Sequence, residues 1–273
     1  LDILKKTGVI NHFVYERLKD VSQRDPRKVL TICKILLKEA GKTKPDIKKM
    51  LEGDPARLKT YKIYEYLYSL NAVYVTTNFD EHLDNVLLAK RSSITPVPES
   101  GDPDSVPEEP IKGEIIFKEQ ELLASALTTN GNVIHLHGSA KDPDSLIVTF
   151  PDYARHYESG SRASTLLQEI FKRNVLFVGY GVEEYEILEY VLQKADALKG
   201  EIRHAMLFAA YEGEEDLVDH LGKYYGELGI ELIPYSKTRN GHEQLEEVLR
   251  VWSQGLTAES PQFIENTGIM EDD

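Results

Sequence analysis

The sequence predicts a doubly wound, Rossmann-like α/β fold, with a mostly parallel sheet and an N-terminal helical subdomain, and three observations carry that prediction. From about Asn71 onward, short β-branched runs alternate with amphipathic helical patterns. The runs are almost continuously apolar, so both of their faces must be covered, as happens when parallel strands are joined by helical crossovers. Before Asn71 the pattern is helical only, with apolar residues recurring at intervals of three and four. The chain therefore divides into a helical subdomain or insertion (1–70), a sheet-bearing core (71–256) and a linker or tail (257–273).

Taken in order, the segments VINHFVYERLKDVSQ and PRKVLTICKILLKEAG are helices, with Pro26 where a helix can start and Gly41 where one can stop. RLKTYKIYEYLYSL sets Tyr61, Tyr64, Leu67 and Tyr68 at helical spacing, a stripe suited to core packing. Six strands follow: AVYVTTNFD, VIHLHGS, SLIVTF, NVLFVGYG, HAMLFAAY and IELIPYS. Helical patterns separate them at 81–90, 163–173, 183–198, 214–228 and 242–252. The stretch 91–113 holds five of the twelve prolines and reads as a surface excursion. The tail after Leu256 has no sustained periodicity and reads as a linker or a partner-binding arm.

Composition narrows the possible functions. Hydrophobic residues form 41% of the chain and charged residues 29%, enough to bury a core. A net charge of −14 disfavours a broad phosphate-binding face, so direct nucleic-acid binding is not expected. The single cysteine, Cys33, cannot form an internal disulfide or supply paired zinc ligands, which fits a reducing cytoplasm and excludes a CxxC-based structural zinc. No apolar run reaches the roughly 20 residues a membrane-spanning helix needs, and no signal peptide is legible. The chain starts at Leu1 rather than methionine, and so reads as a fragment, a processed product or part of something longer.

Doubly wound sheets bind ligands beyond the carboxyl ends of their strands, and three strand ends carry candidate chemistry. After AVYV come Thr77, Asn78 and Asp80, where the amide can pair with a ribose diol and the carboxylate can accept a hydroxyl proton or steady a developing cation. Equally, Asp80 can be a helix N-cap and Asn78 a turn residue. After VI come His135, His137 and Gly138, and one of the two histidines is expected to be structural. Metal ligation by this pair lacks any supporting carboxylate spacing. After VLFV, Gly179 and Gly181 bracket Tyr180, in a turn that lets backbone approach a ribose or base edge. Two acids, Glu183 and Glu184, would repel a bare phosphate there.

TTNFDEHLD, HLHGS with SLIVTFPDYARHY, VLFVGYGVEEYEI, and GIELIPYS followed by HEQLEEVL together resemble the sirtuin-like domains of bacterial anti-phage defence proteins, over about 72–252. The resemblance implies an NAD-hydrolysing enzyme (NAD glycohydrolase) acting in abortive infection. It assigns Asn78 and Asp80 to the nicotinamide-ribose site and His137 as catalytic base. Thr77, Gly138, Gly179, Tyr180 and Gly181 would line the cofactor cleft, with Tyr235 near the adenine side. His135 is given no chemical role. No metal is implied, because the zinc-binding cysteine pairs of protein-deacylating sirtuins are absent, which favours NAD hydrolysis over deacylation. The glycine-rich GAGxS-type phosphate loop has no match in this sequence, and Leu1 is expected to lie after it. The same resemblance implies homo-oligomerisation and a sensor region or partner protein outside this chain. Alternatives are a module that binds NAD or ADP-ribose without turnover and, lower, an NAD-dependent deacylase.

Overall fold

A computed structural model describes residues 1–42, 62–93, 113–180, 204–238 and 241–255, together with Lys49, Leu51 and Ile187. Most of the expected helix at 183–198 and of the excursion at 91–113, together with the tail, Tyr61 and Gly181, lies outside the described residues.

The chain opens with helices α1 (Asp2–Lys6), α2 (His12–Arg24) and α3 (Pro26–Glu39), the helical region expected from the sequence. Asn11 caps α2 by accepting from the Val14 N–H. Asp25 caps α3 by accepting from the Lys28 N–H, with Pro26 opening the helix. These three helices pack on one another. Helix α4 (Ile63–Ser69) instead packs on α5 (His82–Ser93) and on the last helix, α9 (Glu243–Gly255). Its Tyr68 is buried, as the tyrosine stripe predicts.

The strands are β1 (Tyr74–Thr76), β2 (Ile115–Ile116), β3 (Val133–His135), β4 (Val175–Val178), β5 (His204–Ala210) and β6 (Ile230–Ser236). Among the described residues these strands pair in parallel, and hydrogen bonding groups them as β1-β3-β2 and β4-β5-β6. Successive residues of these strands enter different cores, which explains their unbroken hydrophobicity. Phe177, Met206 and Leu232 pack with one cluster, while the neighbouring Val178, Leu207 and Ile233 side with another. In the first sheet Ile134 enters the large cluster and Val133 packs with Tyr68, Tyr74 and Leu87. Among the described helices, α7 (Arg162–Ile170) supplies Leu166 and Leu167 to the large cluster, α9 covers the other side with Leu245 and Leu249, and α8 (Glu215–Glu227) packs on β6.

One expected strand needs correction. SLIVTF is not a strand: it is an extended connection after a short 3₁₀ turn at Pro143–Ser145, and Phe150 already begins helix α6 (Phe150–His156). The cause is a capping box, in which Thr149 bonds the helix start and Asp152 reaches back to the Thr149 N–H, with Pro151 in the first turn. In addition to the expected strands, Ile115 and Ile116 add a two-residue strand to β3.

Candidate active site

The carboxyl ends of β1 and β4 meet at one partly open cleft of about 140 Å³. Val75, Thr76, Thr77 and Asn78 line it from one side, and Val175 to Tyr180 from the other, with Leu136 and Phe171 beside them. Thr77, Asn78, Gly179 and Tyr180 are thus brought together, as the sequence predicts for residues at separate strand ends. Asn78 is exposed and its backbone N–H donates to Thr76 Oγ1 at 3.0 Å. Gly179 has φ +64°, a conformation side chains rarely adopt, and the space where a Cβ would sit is open. Tyr180 stacks on Phe177, with ring centroids 6.0 Å apart. Backbone open to approach, an exposed amide and an aromatic ring make a donor set that fits a ribose with an attached heterocycle.

Four candidates, Asp80, Tyr235, Gly138 and His137, do not line this cleft. Asp80 is half-buried and accepts from the His82 N–H at 3.1 Å, so it caps the start of α5; its other close neighbour is the His82 ring at 3.9 Å. Tyr235 is buried beside Leu207, Leu245 and Leu249, and its hydroxyl lies 2.7 Å from His242 Nδ1. Neither lines the cleft described above. Gly138 is buried at φ +82°, with the Ser145 carbonyl oxygen only 2.2 Å from where a Cβ would lie. It is the hinge of a tight turn that folds 139–147 back onto β3, where Ile147 N–H donates to the His137 carbonyl at 2.9 Å.

Both histidines hold the loop after β1. The His135 ring reaches the Asn78 carbonyl at 3.1 Å through Nδ1, and the His137 ring hydrogen-bonds the backbone of Thr77. His137 is 1% exposed. Its Nε2 lies 2.6 Å from the Tyr157 hydroxyl, its Nδ1 lies 3.3 Å from the Tyr153 hydroxyl, and the His156 ring sits edge-on at 6.1 Å. Burial, followed by the neighbouring His156 and Arg27, pushes the His137 pKa down to about 3, so the ring is neutral near pH 7. A neutral imidazole donating to Thr77 has one lone pair left, and Tyr157 supplies a hydroxyl to it.

The segment SLIVTFPDYARHY carries this aromatic shell, but its contact with His137 cannot be read from spacing, because Tyr153, His156 and Tyr157 lie 16 to 20 residues beyond His137 and converge on it only through the Gly138 turn and helix α6. The N-terminal helices complete the enclosure. Arg27 of α3 stacks over the Tyr153 ring at 3.8 Å, Lys34 binds Asp152 at 3.2 Å, and Thr31 Oγ1 accepts from the Phe150 N–H at 3.2 Å. The Asp152 carboxyl is partly desolvated, yet its bonds to Thr149 and Lys34 hold its pKa below the usual range.

Among the described residues, no three His, Cys, Asp or Glu side chains gather in a way that could hold a metal, and no helix is long and apolar enough to cross a membrane. A comparison with curated proteins found no match. The family model for the SIR2-like domain matches residues 72–233, a span that includes both sides of the cleft and both histidines. With more than half of its length matched, and with the strand-end cleft that this match encloses, the chain belongs to the SIR2-like domain family, whose chemistry is NAD-related.

Proposed function

We propose that this protein hydrolyses NAD to nicotinamide and ADP-ribose, as the effector of an anti-phage, abortive-infection system. The observation that carries the reading is the exposed Asn78 amide at the cleft, on a loop whose Thr77 and Asn78 backbone is held by two histidine rings. Breaking the bond between nicotinamide and ribose C1′ passes through an oxocarbenium-like state, so rigid placement of ribose and nucleophile is the main requirement. Nicotinamide leaves with the electron pair of the broken bond. Water forms the new bond to C1′ and gives its proton to His137, while Asn78 orients the ribose or the water. Asp80, at the start of α5, supports the loop and contributes negative charge toward the developing cation.

In the described arrangement Tyr157 occupies the His137 lone pair, and burial keeps the ring a weak base. Turnover therefore requires helix α6 to move off His137, which frees Nε2 and returns the ring toward its ordinary basicity near neutral pH. The same enclosure favours a second reading, a module that binds NAD or ADP-ribose without turnover. Calorimetry and product analysis with NAD, run together on the wild type and on Asn78→Ala, separate the two. Nicotinamide release that falls at least about a hundredfold in Asn78→Ala supports hydrolysis. NAD binding with no product over a long incubation supports the second reading and overturns the first.

A further inference from the structure

His135 takes no chemical step in the reaction just described, yet it is among the most enclosed polar groups of the described residues. The ring is 1% exposed, and each of its nitrogens faces an acceptor. Nε2 lies 2.7 Å from Asp84 Oδ1, which α5 brings in with the aspartate 2% exposed; Nδ1 lies 3.1 Å from the carbonyl oxygen of Asn78. A carbonyl oxygen cannot donate, so Nδ1 must carry a proton to make its contact, and a second proton must sit between Nε2 and Asp84. With only one proton on the pair, the charge of Asp84 keeps it at Nε2, and the bare Nδ1 lone pair then confronts the Asn78 carbonyl.

We propose that His135, doubly protonated and paired with Asp84, is the positioning residue for Asn78: it grips the Asn78 main-chain carbonyl, and loss of one proton releases the loop. The inference rests on the reading that Asn78 handles NAD at the cleft. Other groups reinforce the grip. Leu136 N–H donates to the Thr76 carbonyl and Ala140 N–H to that of Phe79, each at 2.8 Å, so Asn78 is pinned on both sides and its own carbonyl is left to the His135 ring. The charges bearing on that ring are Asp84 from α5 and Asp80 from the loop, the latter beside His82. Burial opposes the charged ring, but its bond to Asp84, the two carboxylates and the Asn78 carbonyl outweigh that, and its pKa stands above the ordinary histidine value.

The role predicts an unusual response to one conservative change. In Asp84→Asn, the new amide can donate to Nε2, so a neutral His135 keeps its single proton on Nδ1 and still holds the Asn78 carbonyl. The test uses the full chain, with nicotinamide release measured across pH and with ¹⁵N and ¹³C NMR of the His135 ring and the Asn78 carbonyl. In the wild type, both ring nitrogens are protonated at pH 7. On the alkaline side kcat falls about tenfold per pH unit, with KM little changed, as the Asn78 carbonyl signal shifts. In Asp84→Asn that alkaline fall and that shift both disappear. His135→Asn, whose amide nitrogen can stand where Nδ1 was, retains more turnover than His135→Leu.

A wild-type ring with one protonated nitrogen at pH 7, or an Asn78 carbonyl signal that still titrates in Asp84→Asn, overturns the positioning role. Wild-type protein that shows the doubly protonated ring and the carbonyl titration but releases no nicotinamide sustains this role, and it is the NAD reading that fails.

Discussion

Gly138 shows most plainly how one residue sets the site. A methyl group there would overlap the Ser145 carbonyl and would require a backbone angle of φ +82° that side chains avoid. Gly138→Ala is therefore expected to cost more than about 2 kcal/mol, read as a lower denaturation midpoint at unchanged slope. An unchanged midpoint would mean that the turn can rearrange. Much at this scale was legible in the sequence. Thr77, Asn78, Gly179 and Tyr180 were picked out at separate strand ends and share one cleft. The partners of the two histidines were not legible, because alternate positions share a face only while the strand continues. Strand β3 ends at His135, and His137 already lies in the turn, so the two rings grip successive backbone positions of the opposite loop by different routes. The resemblance puts Tyr235 near the adenine side, whereas its ring packs under α9.

At the scale of elements, periodicity placed the long helices and strands well, since α2, α3, α5, α7, α8 and α9 all fall on amphipathic segments marked in the sequence. It failed where local bonding overrides apolar texture. SLIVTF is β-branched enough to read as a strand, but Thr149 and Asp152 cap a helix immediately after it, and the T-F-P-D spacing was the available signal. β2 is not legible in the sequence because two residues carry no period. The cap also makes a prediction. Thr149 Oγ1 lies 2.5 Å from Asp152 Oδ2, and Asp152 ties α6 to Lys34 of α3. Thr149→Val keeps the shape and removes the hydroxyl, so it is expected to cost about 1–2 kcal/mol. It should also speed hydrogen exchange in α6 and not in α9. Equal effects on both helices would contradict a local cap.

For the whole molecule, burial of neutral histidines ties stability to pH. The pKa of His137 is pushed to about 3, and burial lowers His156 and His204 as well. Groups whose pKa is depressed on folding stabilise the native state above their unfolded value, and that stability is lost as pH falls. His137 alone is expected to contribute a loss of about 3 kcal/mol between pH 7 and pH 4. His135 has the opposite sign: its raised pKa means that its contribution is lost as pH rises through the folded value. Urea midpoints should therefore fall steeply below about pH 6. A midpoint flat down to pH 4 would show that the His137 ring is not enclosed in solution. The parallel sheets that hold this enclosure were legible as a class from apolar strands alternating with helices, whereas their division into β1-β3-β2 and β4-β5-β6 depends on pairings the sequence does not display. The central claim, that the cleft and His137 together cleave NAD, is tested most directly by following nicotinamide release from NAD with full-length wild-type protein and with His137→Ala. The account predicts release by the wild type and a loss of at least about a hundredfold in the variant. Equal release from both proteins, or none from an activated wild type, would contradict it.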